Sequence, residues 1–391
     1  MTSQTPAVMT DISQFGMPTR IHFGIGARAR IPEILAGHGL LRVLFICDPG
    51  LLDTAIFAEI THSLSDIDVA VFHGVDPEPK DTNVTEAMSV STALGAEAII
   101  VLGGGSAIDV AKAVAILSTN GGAISDYERD GTITIPPLPI IAVPTTAGTG
   151  SEVSGAAVIT DTVRNVKMAI RHPIHGPAAH AILDPMAIST TPRHVAVQSG
   201  IDAFTHALES YVSKRANPFS DAINLHAMHL VAGNLRSYVN DPHNETVALN
   251  MLCASSMAAM SFGTTGTGNV HCMAMSLGSF HPLPHGLLIS LLLPHVVSFN
   301  LSAAPDRFAA VARAMGEPID GLSPSDAAAR ALSAINRLCA DLGLPEGLAA
   351  AGVTDAFLEP AADRCFALDY NRWNPRYSTR NDFLRLFEQA M

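Results

Sequence analysis

Ala98-Ile-Ile-Val-Leu102, running directly into Gly103-Gly-Gly-Ser106 and then Ala107-Ile-Asp-Val-Ala-Lys112, reads as a buried strand, a glycine turn and the opening of a helix. An unbroken apolar run is what a parallel strand covered on both faces requires, because neither face meets water. Outward from it, Val43-Leu-Phe-Ile-Cys47, Val69-Ala-Val-Phe72 and Ile140-Ile-Ala-Val143 have the same texture, while Phe57 to Leu64 and Val84 to Leu94 carry helical spacing. The order is βαβαβ, which predicts an α/β domain built on a parallel sheet. From about Thr191 such runs give way to long Ala/Leu/Met/His-rich stretches, namely Ala222 to Leu235, Thr246 to Met260 and Ala327 to Leu342, so the second half reads as all-helical. Thr191-Pro192-Arg193 has the proline of a first helical turn, and the expected domains are 1–190 and 191–391.

A length of 391 residues suits two domains, and 48% hydrophobic against 15% charged residues excludes a disordered chain. A formal net charge of −13, with no basic cluster to offset it, argues against nucleic acid or an anionic membrane as partner. The longest apolar block, Leu287 to Leu293, is broken by Ser290 and falls short of the roughly 18–20 residues of a membrane span. The N-terminus lacks the pattern of a secretory leader, so a cytoplasmic location is expected, and the first dozen residues read as a loose tail. Five scattered cysteines without CxxC spacing fit neither a disulfide framework nor a thiolate metal cluster.

The glycine turn is a candidate diphosphate cradle. Glycines let the backbone come close to a pyrophosphate, and the free N–H groups of the helix start, with Ser106, donate to it. The turn is not the spaced GxGxxG pattern, and it reads equally as a plain strand-to-helix connection. Asp48, at the end of an earlier strand, offers a carboxylate to ribose hydroxyls and would repel a 2′-phosphate, favouring NAD over NADP; it also reads as a turn aspartate before Pro49. Pro144-Thr-Thr-Ala-Gly-Thr-Gly-Ser-Glu152 again follows a strand and supplies small hydroxyl residues for a dinucleotide.

In the helical half, Asp202 and His206 stand four apart and share a helix face, and His271 and His285 follow far along the chain. One carboxylate and three imidazoles would suit Fe²⁺ or Zn²⁺ with a position left for a substrate oxygen. With 16 histidines, chance pairs are common, and His226 and His229 read as ordinary core or surface residues. Spacing by itself does not choose the ligands.

Taken together the motifs resemble the iron-containing (group III) alcohol dehydrogenase family, close in pattern to its lactaldehyde and 1,2-propanediol reductase members. The landmarks run in order from Phe23-Gly-Ile-Gly-Ala27 through Gly103-Gly-Gly-Ser106, Pro144-Thr-Thr-Ala-Gly-Thr149, Leu183-Asp-Pro185, Gly200-Ile-Asp-Ala-Phe-Thr-His-Ala-Leu-Glu209, Val270-His271, Pro284-His-Gly286 and Leu292-Leu-Pro-His295 to Asn374-Pro-Arg376. The resemblance implies a dehydroquinate synthase-like architecture: an NAD-binding α/β domain, an all-α domain and an active site in the cleft between them. It places the metal ligands on Asp202, His206, His271 and His285, and the NAD contacts on Asp48, Gly104, Gly105, Ser106, Thr145, Thr146, Thr149, Ser154 and Lys167. It also implies a small alcohol or aldehyde as substrate, a metal acting as Lewis acid, and a homodimer or larger assembly.

One departure stands out. Where the family commonly has a second histidine four residues after the first histidine ligand, this chain has Met275, and a thioether cannot relay a proton. His281, four residues before His285, could take over, so His285 and His281 are the candidate catalytic residues. Competing expectations are a maleylacetate reductase-like enzyme, a dehydroquinate synthase-type lyase and a non-catalytic dinucleotide sensor.

Overall fold

The computed structural model describes residues 14–128, 133–281 and 283–391. The stretch expected as a loose tail lies outside them. Eight strands are present among the described residues: β1 (Arg20–Phe23), β2 (Arg42–Cys47), β3 (Asp68–Phe72), β4 (Ala98–Gly103), β5 (Ile140–Pro144), β6 (Ala156–Asp161), β7 (Val166–Arg171) and β8 (His180–Leu183). Six of them form one sheet in the order β1-β8-β5-β4-β2-β3, every pairing parallel, as the continuous apolar runs predict.

The reason those runs are continuous is visible in the two cores. Leu44, Ile46, Ile99 and Val101 point to one face, under α3 (Asp81–Leu94) and α4 (Gly105–Asn120). Val43, Phe45, Ile100 and Leu102 point to the other, under α1 (Ile31–His38) and α2 (Ala55–Ser63). Side chains alternate across a strand, so a strand with helices on both sides must be apolar at every position. Each such side chain, once fully buried, contributes roughly 1.5–3 kcal/mol.

The sequence reading passes over β1, β8 and the antiparallel pair β6 and β7. β1 and β8 are four residues long and include His22 and His180, too short and too polar to stand out as buried runs. β6 alternates half-buried and buried positions, and its turn is held by Asp161, whose carboxylate accepts from Val163 N at 2.9 Å and Arg164 N at 2.8 Å.

The remaining helices are α5 (Arg193–Val212), α6 (Pro218–Asn240), α7 (Glu245–Thr265), α8 (Asn269–Gly278), α9 (His285–Asn300), α10 (Pro305–Ala314), α11 (Pro324–Asp341), α12 (Leu358–Ala367) and α13 (Arg380–Ala390). By compactness the chain divides into a sheet unit, Met17–Ala203 with Ser237–Ala259, and a helical unit, Phe204–Arg236 with Met260–Met391 and residues 14–16. The dividing line crosses α5, α6 and α7 within their lengths. Inside the helical unit, α8 packs on α9 and α12, α13 packs on α9 and α12, and α10 packs on α11.

α7 and the stretch His285–Ala303 are long and apolar enough, by length and composition, to cross a membrane, and half of each window is buried inside the protein. A search for unbroken apolar runs misses both, because serines, glycines and asparagines interrupt them while the mean hydropathy stays high.

The β1 and β8 edge carries a histidine cluster. His22 Nε2 lies 3.0 Å from His180 Nδ1, and the rings of His38 and His180 meet edge to face at 5.7 Å. Burial, with His22, His38 and Arg20 nearby, pushes the His180 imidazole down to about 4 from its ordinary 6.5. A group that titrates lower in the folded chain lends its full stability above the unfolded value and loses it as pH falls through the gap. Tm is therefore expected to hold above pH 6.5 and to fall between pH 6.5 and about 4. Thermal melts of His180→Asn across that window check this: the variant should show a shallower fall, and an unchanged slope would assign the loss to other groups.

Candidate active site

In the sheet unit the glycine turn is formed by close approach. A Cβ on Gly103 would meet Ala107 Cβ at 2.5 Å, one on Gly104 would meet Thr146 Oγ1 at 3.3 Å, and one on Gly105 would meet Thr149 Oγ1 at 3.0 Å. Only a chain without side chains here lets the 144–150 segment lie against the N-terminus of α4. Thr145 N donates to Gly103 O at 3.0 Å, so the two loops are also tied by their backbones. Thr145, Thr146 and Thr149 thus border the free N–H groups of a helix start, a place suited to an anion. Gly150 (φ +58) ends the segment, where a Cβ would fall 2.2 Å from Ala259 Cβ.

Asp48 caps a short 3-10 turn, its Oδ1 accepting from Gly50 N at 2.9 Å, and its Cβ lies 3.5 Å from where a Gly103 Cβ would be. It therefore occupies the turn role and a place beside the glycine turn at once. Ser106 Oγ donates to Pro77 O at 2.5 Å, which commits its proton but leaves the oxygen able to accept. Lys167 pairs with Glu78 at 2.9 Å and is half-exposed. Ser154 is buried and lies with its Oγ 3.3 Å from Lys112 Nζ.

Lys112 is a residue that sequence reasoning leaves without a role. Although only 1% exposed, it donates from Nζ to Ser151 Oγ (2.9 Å), Ser154 O (3.0 Å) and Ala156 O (2.6 Å), with Asp109 Oδ1 at 3.7 Å. Asp109 in turn accepts from Ser151 Oγ at 2.6 Å and Val158 N at 2.8 Å. Burial pushes Lys112 down and Asp109 up, and each partly restores the other's charged form. This pair sews α4, which starts at the glycine turn, to the segment after Thr149. The available signal was an Asp/Lys pair three apart in an otherwise apolar helix.

α5, which the dividing line crosses, carries Asp202, His206 and Glu209, spaced four and three apart and so on one face. The helix is unbroken at residue 203, so Asp202 is fixed to the turn that bears His206. One ligand atom from each of Asp202, His271 and His285 lies within 4.8 Å of the others. His271 comes from the first turn of α8 and His285 is the first residue of α9, so two helix starts and one helix side supply the three donors. Asp202 and His271 are buried and His285 is exposed. His206, the fourth expected ligand, is not in this tightest set; its ring stacks on His271 at 4.3 Å and on Phe262 at 4.5 Å.

One carboxylate oxygen and two imidazoles, with a third imidazole alongside, fit a divalent transition metal and do not suit Ca²⁺ or Mg²⁺, which take oxygen ligands. A second observation supports the fit: His271 Nδ1 is 2.6 Å from the carboxylate of buried Glu209. A carboxylate at that distance suits an imidazole with its proton on Nδ1, which would leave Nε2 as the nitrogen a metal could take.

His281 is not brought into this set. Its ring lies against Phe357 at a centroid distance of 5.4 Å. A relay histidine typically contributes about 10²–10⁴-fold to rate, whereas a ring seated on Phe357 predicts a loss below about tenfold for His281→Gln; kcat measured at saturating cofactor separates the two. Met275 lies one turn beyond His271 and receives the Tyr370 hydroxyl on its Sδ at 3.0 Å. His229, read as a non-ligand, has Nδ1 3.2 Å from Ala314 O.

Comparison with known proteins agrees in both halves. Residues 18–185 match the family model described as iron-containing alcohol dehydrogenase, and 196–391 match that of the Fe-containing alcohol dehydrogenase family, C-terminal. The chain is 40% identical to a 1,3-propanediol dehydrogenase of Citrobacter freundii over 379 residues, covering 96% of this chain and 97% of that one. It is 35% identical to an NAD-dependent methanol dehydrogenase of Bacillus methanolicus, covering 97% and 100%. Among solved structures, a 1,3-propanediol oxidoreductase superposes with a TM-score of 0.94 at 37% identity, covering 97% of this chain and 100% of the other.

Proposed function

The chain belongs to the iron-containing alcohol dehydrogenase family, and from that premise we propose that it is a metal-dependent, NAD(H)-linked enzyme interconverting a small alcohol, diol or hydroxy acid and the matching aldehyde. The observation that carries this reading is the donor set of Asp202, His271 and His285, with the His206 ring stacked on His271. These four residues would hold the metal, Fe²⁺ in preference and Zn²⁺ as the alternative, since the donor set accepts both. When bound, the metal polarises a substrate oxygen and the nicotinamide gives or takes the hydride.

The chain's own residues do the rest. Gly104, Gly105 and Ser106 with Thr145, Thr146 and Thr149 would seat the pyrophosphate, the bare backbone allowing the approach that any side chain would block. Asp48 would accept from the ribose hydroxyls and favour NAD over NADP. Lys167 would exchange Glu78 for a cofactor group, and Ser154 would keep its place through Lys112. His285, exposed at the head of α9, is the ligand that would face substrate. A cytoplasmic homodimer or larger assembly completes the proposal.

A panel of short aldehydes with NADH and NADPH, run on Fe²⁺-loaded, Zn²⁺-loaded and chelated protein, tests it. Turnover with NADH on metal-loaded protein and its loss on chelation are expected; equal turnover by the chelated protein would overturn the metal role.

A further inference from the structure

Glu209 ends the run Gly200-Ile-Asp-Ala-Phe-Thr-His-Ala-Leu-Glu209, stands outside the donor set of Asp202, His271 and His285, and meets that set at His271. Its carboxylate is 3% exposed and takes three donors: Oε1 accepts from Val270 N at 2.6 Å, and Oε2 accepts from Gly268 N at 2.8 Å and from His271 Nδ1 at 2.6 Å. Two of the three are the otherwise unpaired amides at the start of α8, where a negative charge is favoured by the helix dipole. Space for the carboxylate depends on Gly268, because a Cβ there would lie 3.0 Å from Glu209 Oε1 and 3.0 Å from Asn374 Oδ1.

We propose that Glu209 is the positioning residue of the metal centre: one buried carboxylate both caps α8 and holds His271 in the Nδ1–H tautomer, so that Nε2 is the ligating atom. The proposal rests on the reading of Asp202, His206, His271 and His285 as ligands. It goes beyond it in assigning the atom of His271 that binds and the group that enforces the choice. A carboxylate behind an imidazole raises the basicity of the far nitrogen and removes the ring's freedom to flip, and loss of such a partner typically weakens metal binding about 10- to 100-fold. Because Glu209 stands three residues after His206 on α5, one helix face carries a ligand pair together with the support for a third ligand on another helix.

The test uses the full chain with Zn²⁺, which is diamagnetic. Chelator-competition titration of Zn²⁺ into metal-free wild type and Glu209→Gln, with melting curves of both metal-free proteins, should give binding 10- to 100-fold weaker in the variant. Wild-type protein with ¹⁵N-labelled histidine, His271 being identified by its loss in His271→Gln, should show a protonated Nδ1 and a metal-shifted Nε2. That measurement is made on wild-type protein and does not depend on Glu209→Gln folding. Equal Zn²⁺ affinity in a folded Glu209→Gln, or His271 found protonated on Nε2, would overturn the proposal and leave the ligand set standing. Wild type that takes up no Zn²⁺ and no Fe²⁺ would sink the ligand set and this proposal together.

Discussion

Asp202→Asn is expected to lower kcat by roughly 10³-fold or more while leaving the fold intact. Asp202 is the one anionic donor in the set, since neutral imidazoles bring no charge, and it is 4% exposed. Asparagine keeps the shape and one oxygen but withdraws the negative charge that would hold a dication in a partly desolvated place. Lewis-acid assistance is worth several kcal/mol of transition-state charge stabilisation, and each ~1.4 kcal/mol is tenfold in rate. Metal content by atomic absorption, kcat on a short aldehyde with NADH, and a melting curve form the set of measurements. A variant emptied of metal that still turns over within tenfold of wild type would rule out the Lewis-acid reading.

Lys112→Met carries the largest expected effect on stability, a loss of about 3–5 kcal/mol, the range for removing one partner of a buried ion pair. The methionine fills the volume, but Ser151 Oγ, Ser154 O and Ala156 O lose their shared donor and Asp109 keeps a charge with no cation opposite. Burial already pushes the Asp109 carboxyl up, so part of the cost is relieved by its taking a proton. Asp109→Asn added to Lys112→Met should therefore recover a measurable share, and urea unfolding of the single and double variants shows how much. Cofactor affinity should fall as well, because the Lys112 bonds fix the segment whose Thr149 lies against Gly105. A stability loss below about 1 kcal/mol would mean that water replaces the ammonium without strain.

Asp202 and His206 share a helix face because the helix repeat puts residues four apart together, and a reader of the sequence sees that pair at once. His271 and His285 are 69 and 83 residues beyond Asp202 by their numbers, and no periodicity joins them to it. The resemblance to a family names them; their meeting within 4.8 Å is a matter of how α5, α8 and α9 lie. Lys112 and Glu209 both stand within the sequence motifs, but their work is done against Ser151, Ala156, Val270 and His271, residues far from them along the chain.

His281 shows the converse. Its spacing to His285 makes it a reasonable stand-in for the histidine replaced by Met275, but a loop residue is aimed by what packs around it, and Phe357 takes this ring. β1 and β8 went unread for a related reason: four residues each hold too few alternations to stand out, and the six-stranded sheet is completed only by pairing Arg20 with His180, 160 residues away.

By itself the sequence determined the α/β class, the central strands, the glycine turn and the kinds of donor available, because strand and helix periods and backbone permissiveness are set by near neighbours. Tertiary structure alone decided which donors converge, which nitrogen of His271 meets Glu209, and that a buried lysine braces the loop after Thr149. Those outcomes depend on burial and hydrogen bonding between distant segments, and no local pattern encodes the distance between them.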